Sequence, residues 1–307
     1  MDAHHIPVMV GEVLTALSVR PGGTYIDCTT GEGGHALAIL GSVEPGPRLL
    51  GIDLDADALS TARRRLEEYG DRATMVQGTY AGLHEMAGGR GFVPADGVLF
   101  DLGLSSAQLE SGERGFSFAR QGKLDMRFDA GQVLTARDIV NQHSEQDLAD
   151  IIYRLGEEPA SRRIARAIVR ARPIESTTGL ADIVKRATGG RGRRRIHPAT
   201  RTFQALRIAV NGELDNIKEG LAQAIRVLGS GGRLVAISYH SLEDKEVKTF
   251  LRMESSSCIC PPGTPVCICG HEPSIRLIHR KVIKPSEQEI SANHRSRSAR
   301  LRVAERL

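Results

Sequence analysis

The segment Tyr25-Ile-Asp-Cys-Thr-Thr-Gly-Glu-Gly-Gly-His35 sets an acid and three glycines between an apolar run and the first turn of a predicted helix. Glycines at such a place let the backbone turn tightly and approach a bound cofactor, with N–H groups turned towards it. Asp53 follows twenty residues after Gly33, at the end of the next apolar run. A carboxylate there can accept hydrogen bonds from both ribose hydroxyls of an adenosine. Two other readings exist: Gly31, Gly33 and Ala36 also satisfy the G-x-G-x-x-A pattern of nicotinamide dinucleotide sites, and a tight turn with a helix-capping Asp needs no ligand at all. Asp27 favours S-adenosylmethionine, because a carboxylate beside the glycine loop suits the ammonium of a methionine moiety and repels a pyrophosphate. The return to strands late in the chain, in place of a further βαβ half, points the same way.

These residues need strands and helices to hold them. Short apolar runs at Thr24–Asp27, Arg48–Ile52, Ala73–Val76 and Gly97–Phe100 alternate with helical stretches near His35–Leu40 and Ala56–Tyr69, which is the pattern of βαβ units on a parallel sheet. From about Leu109 to Asn211 the strand pattern stops. Helical periodicity takes over at Ala136–Asn141, Glu145–Leu155, Pro159–Ala171 and Leu180–Ala187, with a long helix from Pro198 onward. Strands resume after Gly229-Ser-Gly-Gly232 with Arg233–Ser238, Ile275–Val282 and Ala299–Ala304, and a helix over Ser241–Met253 lies among them. The expected class is α/β, a Rossmann-like sheet with an inserted all-helical domain. Its expected divisions are 1–110, 111–211 and 212–307.

With 40% hydrophobic and 25% charged residues over 307 positions, the chain is neither disordered nor fibrous. No apolar run approaches the ~20 residues of a membrane span, and the N-terminal segment lacks a basic flank before an apolar core, so a cytoplasmic protein without a membrane partner is expected. Cys28 stands alone, whereas Cys258, Cys260, Cys267 and Cys269 lie close together around a Pro-Pro-Gly turn. That group offers four thiolates to Zn²⁺; its C-x-C spacing departs from the usual C-x-x-C, and local disulfides or packed thiols are the other readings. No metal is counted among the expected site residues, and whether these four cysteines bind zinc stays open. Eight Lys or Arg and no Asp or Glu fall between Lys185 and Arg207, and Arg295, Arg297, Arg300 and Arg302 form a second cluster. Such clusters are solvated faces or phosphate-binding surfaces. With no Trp and 4% aromatics, base stacking is not the main source of affinity.

Longer motifs sharpen this picture: His5-Ile-Pro-Val8, Thr30-Gly-Glu-Gly-Gly-His35, Gly51-Ile-Asp53, Asp101-Leu-Gly-Leu-Ser-Ser106 with Gln108-Leu109, and Arg114-Gly-Phe-Ser-Phe118. Further on stand Leu124-Asp-Met-Arg127, Gly156-Glu157, the run His197 to Asn211, His240-Ser-Leu-Glu-Asp244 and Arg295-Ser-Arg-Ser-Ala299. In these the chain resembles, nearly end to end, the bacterial 16S ribosomal RNA cytosine-N4 methyltransferases, RsmH, formerly MraW. The resemblance implies a class I methyltransferase sheet with a helical insertion after the fourth strand. It also implies S-adenosylmethionine contacts at Gly33, Gly34, His35, Asp53, Tyr80, Asp101 and Gln108, and a substrate cytidine in the decoding region of 16S ribosomal RNA in the small subunit. Tyr80 and Tyr239 stand where the family often has Phe, and Leu104 where Val is common.

Methyl transfer from a sulfonium is an in-line displacement, so the main task is to hold the amine ~3–3.5 Å from the methyl carbon with water excluded. The cytosine amine becomes nucleophilic when an acceptor takes one of its N–H bonds. Asp101, at the carboxyl end of the fourth strand, is the first candidate; Asp125, His197 and His240 are the others, against the plainer readings of a helix cap and of structural histidines. Amino-directed DNA methyltransferases carry Asn or Asp followed by Pro-Pro and an aromatic here. Asp101-Leu-Gly-Leu lacks that tetrapeptide, which favours RNA over DNA. Arg191, Arg193, Arg194 and Arg195, with Arg201 and Arg207 on the following helix, are the expected backbone contacts. Two other functions remain: a non-catalytic RNA-binding or assembly factor on the same fold, and a dinucleotide-dependent oxidoreductase.

Overall fold

The computed structural model describes residues 7–105, 108, 112–189, 197–261 and 263–307. The chain divides into two compact units, one running through Gly103 and resuming at Leu214, the other comprising Leu104–Glu213. The first is built on a seven-stranded sheet of β1 (Thr24–Asp27), β2 (Arg48–Asp53), β3 (Ala73–Gln77), β4 (Ala95–Asp101), β5 (Leu228–Ser238), β6 (Ile275–Leu277) and β7 (Arg300–Arg306). Their spatial order is β3-β2-β1-β4-β5-β7-β6; β1 to β5 are mutually parallel, and β7 runs antiparallel to both β5 and β6. This is the class I methyltransferase arrangement.

Both faces of this sheet are covered, which is why its strands read as continuous apolar runs. Successive residues alternate between faces: Ile26, Leu50, Val98, Phe100 and Leu234 join one core, whereas Tyr25, Leu49, Leu99, Val235 and Ile237 join the other. On the first face lie α4 (Leu83–Gly88), α10 (Glu213–Val227) and α11 (Ser241–Glu254) through Leu83, Leu221 and Val247; on the second, α1 (Val10–Leu17) and α2 (Gly34–Leu40) through Leu17 and Ile39. Helix α3 (Ala56–Arg65) is capped by Asp55, which accepts from Asp57 N and Ala58 N, and it stops well short of the predicted Tyr69. After it the chain tightens into a 3₁₀ segment.

The second unit has its own core. Helices α5 (Ala136–Gln142), α6 (Glu145–Gly156), α7 (Ser161–Arg170), α8 (Thr177–Ala187) and α9 (Thr200–Asn211) bury Ile139, Leu148, Ile152, Ile164, Leu180 and Leu206 together. Helix α7 shows why the sequence folds this way: Ile164, Ala165 and Ile168 recur on one face and are buried. Caps define the starts, with Thr135 and Asp138 forming a reciprocal capping box on α5, and Ser144 and Ser176 accepting N–H bonds at α6 and α8. The single long helix predicted from Pro198 is interrupted, because Gly212 ends α9 at φ 60° and ψ 31°, a left-handed conformation that glycine adopts without penalty.

Candidate active site at the carboxyl ends of β1, β2 and β4

Register places the acids. Asp27 ends β1 opposite Gly51 of β2 and Leu99 of β4, so Asp53 and Asp101 each reach two residues further along the neighbouring strands. Three carboxylates thus share the edge where open α/β sheets bind ligands, at the point where the strand order reverses. The glycine loop is tied beneath them: Thr30 N donates to Ile52 O at 3.0 Å, Gly33 N to Thr30 O at 2.8 Å, and Gly31 N to Asp53 Oδ2 at 2.7 Å. Gly33 caps α2 at φ 82°, and a Cβ there would press on Ala62 at 3.3 Å. At Gly31 the same construction meets nothing within 4 Å, so the loop backbone stands open to an incoming group.

The carboxylates have different surroundings. Asp27 is 1% exposed, and burial pushes its carboxyl up to about 7 against the lowering influence of His35 and the Thr29 N–H. Its Oδ1 accepts from Thr29 N at 3.1 Å, whereas Oδ2 is buried with no partner among the described residues. Asp53 is also raised by burial, opposed by the Asp55 and Gly31 N–H groups. Asp101 Oδ1 accepts from the Tyr239 hydroxyl at 2.7 Å, and Thr29 Oγ1 accepts from Asp101 N at 2.6 Å. The Tyr239 phenol is pushed well above its ordinary value by burial and by Asp101 beside it, so it is a permanent donor. His35 Nε2 lies 3.4 Å from Asp101 Oδ2, an ion-pair distance too long for a good hydrogen bond. Burial lowers the His35 pKa, but Asp101, Asp27 and Glu289 outweigh it and leave it raised.

Tyr80 follows β3 in a short 3₁₀ turn capped by Thr79. Its ring meets Phe100 edge-on, 5.4 Å between centroids, and lies so close to Gly220 of α10 that a Cβ there would sit 2.4 Å from Tyr80 Cδ2. His240 caps α11: Nδ1 accepts from Glu243 N at 3.3 Å and Nε2 lies 2.9 Å from Glu243 Oε1, while Glu243 Oε2 accepts from Tyr239 N at 2.7 Å. Asp101, Asp53, His35, Gly33, Gly34, Tyr80 and His240 therefore all belong to the sheet unit. Gly34 is held against Pro7, whose Cγ would be 2.6 Å from an added Cβ.

The remaining expected residues belong to the inserted unit. Gln108 is buried, its Oε1 accepting from Ser105 N at 3.1 Å. Asp125 is held below the ordinary carboxylate range by its hydrogen bonds from Arg127, whose Nε and Nη2 both approach at 2.8 Å. His197 stacks on Phe118 at 4.6 Å and accepts from Ala199 N. Arg207 forms a two-pronged pair with Glu213 at 2.8 Å, and Arg201 Nη1 donates to Glu157 O at 3.1 Å. Arg191, Arg193, Arg194 and Arg195 lie outside the described residues. In the other basic cluster, Arg300 and Arg302 are engaged by Asp244 of α11, at 3.0 and 2.7 Å. Two contributors escaped the sequence reading, the Tyr239 hydroxyl and the Thr29 hydroxyl. They meet Asp101 from 138 and 72 residues away. The one available signal was Tyr239 itself, a phenol where the resembled family commonly has Phe.

These residues fit S-adenosylmethionine. A buried carboxylate oxygen without a donor awaits an ammonium, Asp53 keeps lone pairs for a ribose diol beyond its two backbone N–H bonds, and the open Gly31 backbone leaves room between them.

The sequence profile of the MraW methylase family matches residues 2–307. A protein of Dehalococcoides mccartyi described as ribosomal RNA small subunit methyltransferase H is 54% identical over 303 residues, 99% of this chain and 86% of its own length. Proteins of the same description from Thermomicrobium roseum and Brevibacillus brevis are 54% and 47% identical, covering all of this chain and 95% and 99% of their own lengths. With a profile match over almost every residue, and such identities at full coverage, the chain belongs to the MraW methylase family.

Proposed function

We propose that this protein is an S-adenosylmethionine-dependent methyltransferase that modifies the exocyclic N4 amine of a cytidine in the decoding region of 16S ribosomal RNA, in the small ribosomal subunit and in the cytoplasm. The observation that carries the reading is the row of Asp53, Asp27 and Asp101 on adjacent strand ends around an open glycine loop. Asp53 would take the ribose hydroxyls and Asp27 the ammonium, with Gly33, Gly34 and His35 forming the floor and Tyr80 beside the adenosine; the family resemblance adds Gln108 as a further cofactor contact. When bound, S-adenosylmethionine supplies a methyl group on a sulfonium, open to in-line displacement. Asp101, oriented by Tyr239 and Thr29, accepts an N–H bond from the amine so that the nitrogen lone pair turns towards that methyl. His240, whose two ring nitrogens meet Glu243, serves the same strand end by fixing Tyr239. Asp125 and His197 are the further candidates for acceptor or proton relay, and Arg191, Arg193, Arg194, Arg195 and Arg201 those for RNA backbone contact; Arg207, taken up by the buried Glu213, is set aside.

A dinucleotide would set its pyrophosphate against Asp27, which counts against an oxidoreductase. The names of the relatives favour RNA as the substrate. Small subunits incubated with methyl-labelled S-adenosylmethionine and digested to nucleosides should yield label in N4-methylcytidine. Label in another base would overturn the substrate, and bound nucleoside without any transfer would leave the assembly-factor reading in its place.

A further inference from the structure

Between α11 and β6 the chain makes a loop whose base is closed by Ser274 N donating to Glu254 O at 2.9 Å. Among its described residues the large apolar side chains face outward: Ile259, Val266 and Ile268 are 47%, 72% and 85% exposed. What converges inside it is sulfur. The Sγ atoms of Cys258, Cys260, Cys267 and Cys269 all lie within 4.8 Å of one another. Cys267 and Cys269 are 3.5 Å apart, Cys258 and Cys269 3.9 Å, and Cys260 and Cys267 4.0 Å. Zn–S bonds of ~2.3 Å directed to the corners of a tetrahedron place the sulfurs about 3.8 Å apart. The observed edges fall around that length, and all four cysteines are free. Two N–H groups also point at sulfur, Ile259 N at Cys269 Sγ (3.4 Å) and Cys260 N at Cys258 Sγ (3.5 Å), as thiolate charge requires. The turn between the two C-x-C pairs is held by Thr264, whose N and Oγ1 both donate to Pro261 O.

We propose that Cys258, Cys260, Cys267 and Cys269 form a closed, structural Zn²⁺ site that orders this loop at the β6 edge of the sheet, apart from the carboxylates. Four thiolates in tetrahedral array select zinc over hard cations, and with every ligand supplied by the chain no position is left open for catalysis. The test is elemental analysis of the full chain, purified in reductant without chelator. About one zinc per chain is expected, falling below about a tenth of an equivalent in the double variant Cys260→Ser, Cys267→Ser. Co²⁺ added to reduced, metal-free wild type should give the intense visible absorption of tetrahedral thiolate coordination. Absence of zinc together with no such spectrum overturns the site, as does zinc that persists in the double variant. Iron in place of zinc, or peptide mapping that finds these cysteines cross-linked to one another, overturns it equally.

Discussion

The Asp101 carboxylate is held by the Tyr239 hydroxyl, and its backbone N–H by the Thr29 hydroxyl. Replacing Tyr239 by Phe keeps the ring and removes one hydrogen bond to a charged acceptor, worth about 1.5 kcal/mol, so kcat on small subunits should fall roughly tenfold with KM for S-adenosylmethionine unchanged. An unaltered kcat would show that the phenol plays no part. Asp27 makes a prediction of opposite sense for stability. Its native pKa of about 7 lies above the ordinary 3.8, so the folded state holds the proton more tightly than the unfolded one. That contribution is complete below the unfolded value and drains away as pH rises through about 7. Urea denaturation should therefore find Asp27→Asn increasingly more stable than wild type between pH 4 and 7, by a few kcal/mol at pH 8, and calorimetry should find it unable to bind S-adenosylmethionine. In the wild type, affinity for that cation should rise as pH climbs through the same interval. Flat profiles in both measurements would refute the assignment.

At the scale of elements, Asn211 near the end of α9 carries more than its size suggests. Its buried amide donates to Met126 O and accepts from Phe128 N, both at 2.8 Å, and so pins a loop in which Met126 takes φ 62°. Asn211→Ala should cost about 2–4 kcal/mol in urea denaturation, because it strands buried backbone groups; a loss below about 0.5 kcal/mol would mean that the loop holds itself. Element identity was legible wherever burial imposed a pattern. Strand β1 matches its expected span, β2 and β3 run one residue longer and β4 three, since parallel strands covered on both faces are unbroken apolar runs between polar ends. The misreadings have local causes. Gly229-Ser-Gly-Gly232 looks like a turn, yet β5 continues through it as an irregularity, with Leu228 paired to Ala95 and Arg233 to Gly97. Helix α1 went unseen because it opens and closes on left-handed Met9 and Ser18, without a capping side chain at its start. Asp53 could be expected from its distance along the chain to the glycines, whereas the Tyr239–Asp101 contact depends on which strands become neighbours.

In the molecule as a whole, each of the two units encloses its own apolar core. Leu104–Glu213 produced alone should unfold cooperatively in urea with helical circular dichroism, and a broad, non-cooperative loss of signal would show that its core is incomplete. The sheet has a different constraint, set by the place of β7 between β5 and β6. A strand made after both of its neighbours is an inner one, and it brings the buried Leu301 and Val303 with it. While the ribosome is still short of Arg300, β5 displays an unpaired row of backbone donors and acceptors, open to wrong partners as well as the right one. Assembly of this sheet cannot keep pace with translation, so the interval between making β5 and releasing β7 is when the nascent protein most needs shelter from its neighbours.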